Sequence, residues 1–156
     1  MKCIYKLIST WWLYGTIKYI PGTMGSIAAF PIVPIIISNK ILGYIIIIFL
    51  FIIGLWSTTY YIKYYHTGSD PQEIVIDEVV GQLFTVFLVS IILNQDRLSY
   101  SILLLCFLSF RFFDIIKPWP ISIIDKETRY PICIMLDDIL AGCFACLVTV
   151  ILYYLV

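Results

Sequence analysis

Histidine is nearly absent from this chain of 156 residues, in which His66 is the only one. Any chemistry that needs a pair of imidazoles is excluded, and His66, in a polar loop before Gly68 and Pro71, reads as a surface residue without a role. Charge is scarce as well, at 13% of residues, with ten basic side chains against ten acidic. The formal net charge of zero gives no footprint for nucleic acid. Five cysteines, Cys3, Cys106, Cys133, Cys143 and Cys146, form an odd set scattered through apolar sequence. That argues against a disulfide framework and for a reducing compartment. The start of the chain lacks the basic, apolar, small-residue order of a cleaved signal peptide, so the mature protein is expected to begin near Met1. With no linker, low-complexity tract or internal repeat, residues 1–156 read as a single domain.

What is present is apolar sequence. The apolar fraction of 62% lies well above the roughly 45–50% of soluble domains, and the mean hydropathy is +0.99. The chain reads as an all-α, integral membrane protein, a compact helical bundle. Uncharged runs at residues 26–39, 41–62, 79–95, 98–110 and 139–156 predict five apolar helices. Residues 41–62, and with them 139–156, approach the roughly 20 residues that cross a bilayer upright. The shorter runs are expected to tilt, thin the bilayer locally or lie partly among the headgroups. Pro31 and Pro34 break the first run. Residues 1–13, with Lys2, Lys6, Trp11 and Trp12, predict an N-terminal interfacial helix.

Threading these runs back and forth places the connections 15–25, 63–77 and 111–138 on one side of the membrane. The short turns at Lys40 and at Asp96–Arg97 fall on the other. Asp77, Glu78, Asp114, Asp137 and Asp138 therefore share a face. That face also carries Lys2, Lys6, Lys18, Lys63, Arg111, Lys117, Lys126 and Arg129, so the positive-inside bias makes it cytoplasmic.

A carboxylate beside membrane-grade sequence is costly to keep charged unless something pairs with it, and a divalent metal serves several at once. Asp77-Glu78 and Asp137-Asp138 each read as an acidic pair opening a helix. Gly81 and Gly142 follow about a turn later, leaving room for a helix or a ligand to approach. Either pair alone also reads as dipole capping. Asp114 does not, because it closes a helix whose C-terminal end already carries negative partial charge. Pairing of Asp114 with Arg111 or Lys117 is the structural alternative, compatible with orienting a metal ligand. Lys117-Pro118-Trp119-Pro120 then ends the helix, with Pro120 preventing its resumption. Lys117 is presented on a stiff corner, a point charge for phosphate with Arg111 as a forked second contact. Trp119 reads as an interfacial anchor. The segment PGTMGS at 21–26 offers glycines, hydroxyls and N–H groups as an anion cradle through Thr23, Gly25 and Ser26, or a turn with a serine cap. Cys143 and Cys146 have redox or zinc spacing but no second pair and no nearby histidine, so helix packing is the reading for them.

Residue supply removes several phosphate-ester chemistries. Cys106 stands at the wrong distance from Arg111 for a thiolate phosphate loop, no second histidine supports a phosphohistidine route, and no Asp-x-Asp pair begins a strand. Metal-assisted hydrolysis remains, with carboxylates holding Mg2+ and Lys117 and Arg111 offsetting developing negative charge.

PGTMGS at 21–26, EIVIDEVVGQ at 73–82, FRFFDIIKPWPI at 110–121 and DDILAG at 137–142 resemble, in order, the motifs of the phosphatidylglycerophosphatase A family. The resemblance covers nearly the whole chain. It implies an all-helical, magnesium-dependent lipid phosphatase of the bacterial inner membrane that converts phosphatidylglycerophosphate to phosphatidylglycerol and inorganic phosphate. The family's acidic motif residues fall on Asp77, Glu78, Asp114, Asp137 and Asp138, and its basic ones on Arg111 and Lys117. Membrane lipids are the expected surroundings, and no obligate protein partner is expected. Two other classes fit the polar clusters: a metal-dependent phospho-alcohol phosphotransferase, and a non-enzymatic small membrane carrier. A carrier needs acids deep within the helices, whereas here they sit at helix ends.

Overall fold

A computed structural model describes residues 2–65, 72–127 and 130–155. His66 and Arg129 lie outside these residues, as does the Lys2 side chain. The described chain forms helices joined by turns and short loops, with no strand among the described residues. Its helices are α1 (Lys2–Ser9), α2 (Pro21–Ala28), α3 (Val33–Ser38), α4 (Lys40–Tyr65), α5 (Ile76–Ile92), α6 (Tyr100–Ile116), α7 (Ile121–Asp125) and α8 (Pro131–Leu155). The five expected apolar helices correspond to α2 with α3, then α4, α5, α6 and α8. Three stretches are long and apolar enough to cross a membrane: Pro21–Ser38, Lys40–Tyr65 and Pro131–Leu155.

Helix α5 is the axis of the bundle. It is buried on nearly every side, from Ile76 through Val79, Leu83 and Val86 to Ser90, and packs most extensively on α8, with α2, α3, α4 and α6 around it. Such all-round burial is what an apolar helix without a polar face requires. Helix α4 instead turns Ile45, Ile48, Phe49 and Ile52 outward, as a helix bordering lipid does. Helix α1 lies against α4, where Tyr5 stacks on Tyr60, ring centroids 4.9 Å apart. It stops at Ser9, short of the expected residue 13, because Trp11, Trp12 and Leu13 all take positive φ and reverse the chain.

The crossing of α5 and α8 depends on two glycines. A Cβ on Gly81 would stand 2.9 Å from the Asp138 carbonyl oxygen and 2.7 Å from the Phe110 ring. One on Gly142 would stand 3.1 Å from the Gly81 carbonyl oxygen. Of the two tenants the sequence allowed beside these glycines, a helix is the one present.

Several boundaries differ from the sequence reading. Pro31 and Pro34 do break the first apolar run, into α2 and α3, with a single 3-10 turn at Phe30–Ile32 between them. PGTMGS is not a loop ahead of that run: Pro21 occupies the first helical position, where its missing N–H costs nothing, and the motif forms most of α2. Ser26 is no cap, since its hydroxyl donates to the Gly22 carbonyl at 3.0 Å. Asp137 and Asp138 do not open α8, which begins at Pro131 and carries them beyond its first turn. Charge marked a boundary in the sequence, but a helix tolerates carboxylates that share a polar cavity. Pro120 does not prevent resumption either; it is the N-cap of the short α7.

Gly81→Ala is expected to lower stability by about 1–3 kcal/mol through overpacking against backbone, more than the roughly 1 kcal/mol gained in helix propensity. Thermal unfolding of the detergent-solubilised protein checks this, with a fall in midpoint as the expected result.

Candidate active site

At one end of the bundle, α2, α5, α6, α7 and α8 surround a cavity of about 430 Å³. Its lining carries six carboxyl groups, Asp77, Glu78, Asp114, Asp125, Asp137 and Asp138, against two cationic side chains, Arg111 and Lys117. The five acids expected to share a face do meet here. Helix α5 supplies Asp77 and Glu78 from its first turn, α6 supplies Arg111 and Asp114 from its last, and α8 supplies Asp137 and Asp138.

The carboxylates fall into two groups. Asp114 accepts from Arg111, Nη1 to Oδ2 at 2.6 Å, and Asp137 accepts from Lys117 Nζ at 2.6 Å. Asp77, Glu78 and Asp138 form the second group, each offering an oxygen within 4.8 Å of the others. Two buried oxygens here, Glu78 Oε2 and Asp138 Oδ2, have no hydrogen-bond partner. Charged carboxylate oxygens would be costly to leave bare in so buried a place unless a cation met them. Three convergent carboxylates are the hard, oxygen-only donor set that a divalent cation such as Mg2+ takes, so the residues present fit the metal.

The two cations are held differently. Arg111 lies one turn before Asp114, and its Nη1 also stands 3.4 Å from Ser26 Oγ, which ties α6 to α2. Its Nε is buried without an acceptor. Lys117 terminates α6 in the left-handed region, φ 46°, a conformation uncommon for a residue with a side chain and frequent at functional sites. From that corner its ammonium donates to Asp137 and Asp125, not to Asp114. Burial alone would pull the Lys117 pKa down. The charge of Asp137 and the hydrogen bonds to Asp125 and Asp137 outweigh it and hold the group above the ordinary lysine value.

Of the residues expected to cradle an anion, Thr23 lines the cavity. Gly25 and Ser26 do not. Gly25 is buried against Val75, whose carbonyl would lie 3.0 Å from an added Cβ, and Ser26 sits behind Arg111. Trp119 is 77% exposed, in keeping with an anchor at the membrane surface. The cysteines are free, Cys143 exposed and Cys146 buried.

Three neighbours of the site have surroundings that the sequence reading does not assign. A Cβ on Gly22 would collide with Glu78 Oε1 and stand 3.1 Å from both terminal nitrogens of Arg111. The signal was available, because a helix started by Pro21 puts Gly22 and Ser26 on one face. Asp125 gives no local signal, since only the α7 turn brings it back to Lys117. Gln82, one turn beyond Glu78, is fully buried with both amide atoms unpaired.

Comparison with known proteins gives the class, a lipid phosphatase, a hydrolase of phospholipid metabolism. The family profile of phosphatidylglycerophosphatase A matches residues 7–153, and the chain belongs to that family. A Haemophilus influenzae protein named phosphatidylglycerophosphatase A is 37% identical over 146 residues, covering 90% of this chain and 83% of that protein. An Escherichia coli protein of the same name is 31% identical over 129 residues, covering 82% and 71%. A Bacteroides thetaiotaomicron protein, provisionally named a phosphatidylinositol-3-phosphatase, is 28% identical over 146 residues, covering 89% and 87%. No solved structure matches.

Gly22→Ala displaces only the movable ends of Glu78 and Arg111, so the folded state should survive. Misplacing these groups is expected to lower phosphate release roughly tenfold to a hundredfold, checked by turnover alongside an unchanged thermal midpoint.

Proposed function

We propose that the chain hydrolyses the terminal phosphomonoester of phosphatidylglycerophosphate to phosphatidylglycerol and inorganic phosphate, with Mg2+ held by its carboxylates. The reaction takes place at the cytoplasmic face of a bacterial inner membrane. The observation that carries this reading is the cavity in which three carboxylates converge with bare oxygens beside two fixed cations. The names of the Haemophilus influenzae and Escherichia coli relatives supply the substrate. The Bacteroides thetaiotaomicron relative's name also denotes a phosphomonoester on a lipid headgroup, so the chemistry is common to all three and the headgroup is the variable.

Asp77, Glu78 and Asp138 would hold the metal, with Asp114 and Asp137 at its margin. Bound there, Mg2+ supplies Lewis acidity at a phosphoryl oxygen and lowers the pKa of a coordinated water. The chain's own residues do the rest. Lys117 and Arg111 attract the phosphate dianion and offset the charge that grows on its oxygens as the P–O ester bond breaks. Asp137 and Asp125 fix the Lys117 ammonium, and Asp114 fixes the Arg111 guanidinium, so neither cation must reorganise during the reaction. Overall, water adds to phosphorus and the glycerol oxygen leaves with a proton.

The cytoplasmic assignment rests on charge. Lys6, Lys18, Lys63 and Lys126 accompany Arg111 and Lys117 at the acid end, while Lys40 and Arg97 stand at the other. The apolar helix interiors offer no chain of charged groups that would suit a carrier.

Asp114→Asn removes the charge that holds Arg111 and weakens the metal's surroundings. It is expected to lower phosphate release from short-chain phosphatidylglycerophosphate by at least about a hundredfold in folded, membrane-inserted protein. Chelation of divalent metal should silence the unaltered protein, and magnesium should restore it. Full activity of Asp114→Asn, or release indifferent to chelator, would sink the assignment. Consumption of a nucleotide-activated lipid without free phosphate would favour a phosphotransferase instead.

A further inference from the structure

A second cleft, of about 980 Å³, opens at the end of the bundle opposite the acid cavity. It follows the seam where α2 and α3 face α6, and its walls are apolar, formed by Val33, Ile37, Leu103, Leu104 and Phe107. Phe30 meets Phe107 at its inner end, ring centroids 6.1 Å apart. Its mouth is polar, with Ser38, Asp96, Arg97 and Ser99.

We propose that this cleft binds one anionic phospholipid from the leaflet opposite the acid cavity, with an acyl chain in the apolar trough and the headgroup phosphate on Arg97. Three observations favour that occupant. From Tyr100 to Phe107, α6 descends about 10 Å at 1.5 Å per residue, most of the roughly 15 Å that one leaflet contributes to the hydrocarbon core. The charge at the mouth is also uncommitted. Lys40 draws Asp96 aside at 3.3 Å and donates to Ser90 and Gln95, whereas Arg97 is exposed and has no ion pair among the described residues. A guanidinium fork suits a phosphate. Finally, Tyr100, 91% exposed, stands beside Arg97 at the level where aromatic side chains meet headgroups. A lipid entering from the acid side would have to pass the Phe30–Phe107 contact, so the substrate's own chain is the less suited tenant. The site does not depend on which lipid the acid cavity hydrolyses.

The test is native mass spectrometry of the full chain in detergent, titrated with dioleoyl-phosphatidylglycerol and with dioleoyl-phosphatidylcholine. The expected result is one retained phosphatidylglycerol, held about fivefold more strongly than phosphatidylcholine. Arg97→Gln, an exposed change remote from the acid cavity, should abolish that preference, and Leu104→Trp, in the cleft's apolar wall, should weaken retention of both lipids. Both variants should release phosphate from a short-chain substrate within twofold of the unaltered protein. Equal retention of the two lipids, or a preference untouched by Arg97→Gln, would overturn the proposal. So would a Leu104→Trp variant whose KM rises for long-chain substrate alone, because the cleft would then hold the substrate's chain. If the unaltered protein releases no phosphate from any substrate, the hydrolytic reading falls while the lipid-retention comparison still decides this one.

Discussion

Six carboxyl groups share a desolvated space with only two cations, and that electrostatic imbalance governs the architecture of this protein. Like charges brought together in low dielectric repel strongly, and burial penalises each of them further. The acids that line the cavity are confined to one end of the bundle, at helix termini or near them. Asp114 and Asp137 are each matched to a cation within hydrogen-bond distance, while Asp77, Glu78 and Asp138 are left to converge on one another. The separation produces two kinds of carboxylate from residues of the same chemistry. One kind holds positive charge in place, and the other gathers around a common point.

Close helix contact makes the convergence geometrically available. Because Gly81 and Gly142 carry no side chain where α5 crosses α8, the backbones approach to a distance that a Cβ would forbid. The carboxylates a turn away are brought together by the same approach. Gly22 performs the corresponding service for α2, allowing its first turn to close over Glu78 and Arg111. Packing and site geometry are thus not separate achievements: the small residues that let apolar helices associate without a hydrophobic drive in lipid also set the spacing of the acids.

The helical class, the approximate number of helices and the gathering of five acids at one end were legible in the sequence, since uncharged runs and their alternation determine all three. The boundaries near charge were less so. Asp137 and Asp138 looked like the start of a helix because hydropathy falls there, yet α8 runs straight through them from Pro131. Helical hydrogen bonding is indifferent to a side chain that has a polar cavity to face. Lys117 was identified with the right corner, but its partner was not, because the left-handed turn at its own backbone points the ammonium toward α7 and α8 and away from the preceding turn. Asp125 was invisible for the same reason: only the folded α7 gives it a neighbour. Gly25 and Ser26, conspicuous in their motif, turn out to support the lining from behind.

The interruption at Phe30–Ile32 separates two mechanical duties that a continuous helix would have fused. Helix α2 carries Gly22 and Thr23 at the acid cavity, and α3 runs on to the far side of the bundle beside α4 and α5. A single 3-10 turn that contains Pro31 and is followed by Pro34 in the first turn of α3 joins them, lacking the unbroken hydrogen-bond ladder that makes a helix a stiff rod. The two segments therefore need not share one axis: α2 closes on Glu78 and Arg111 at the acid cavity while α3 follows α4 and α5.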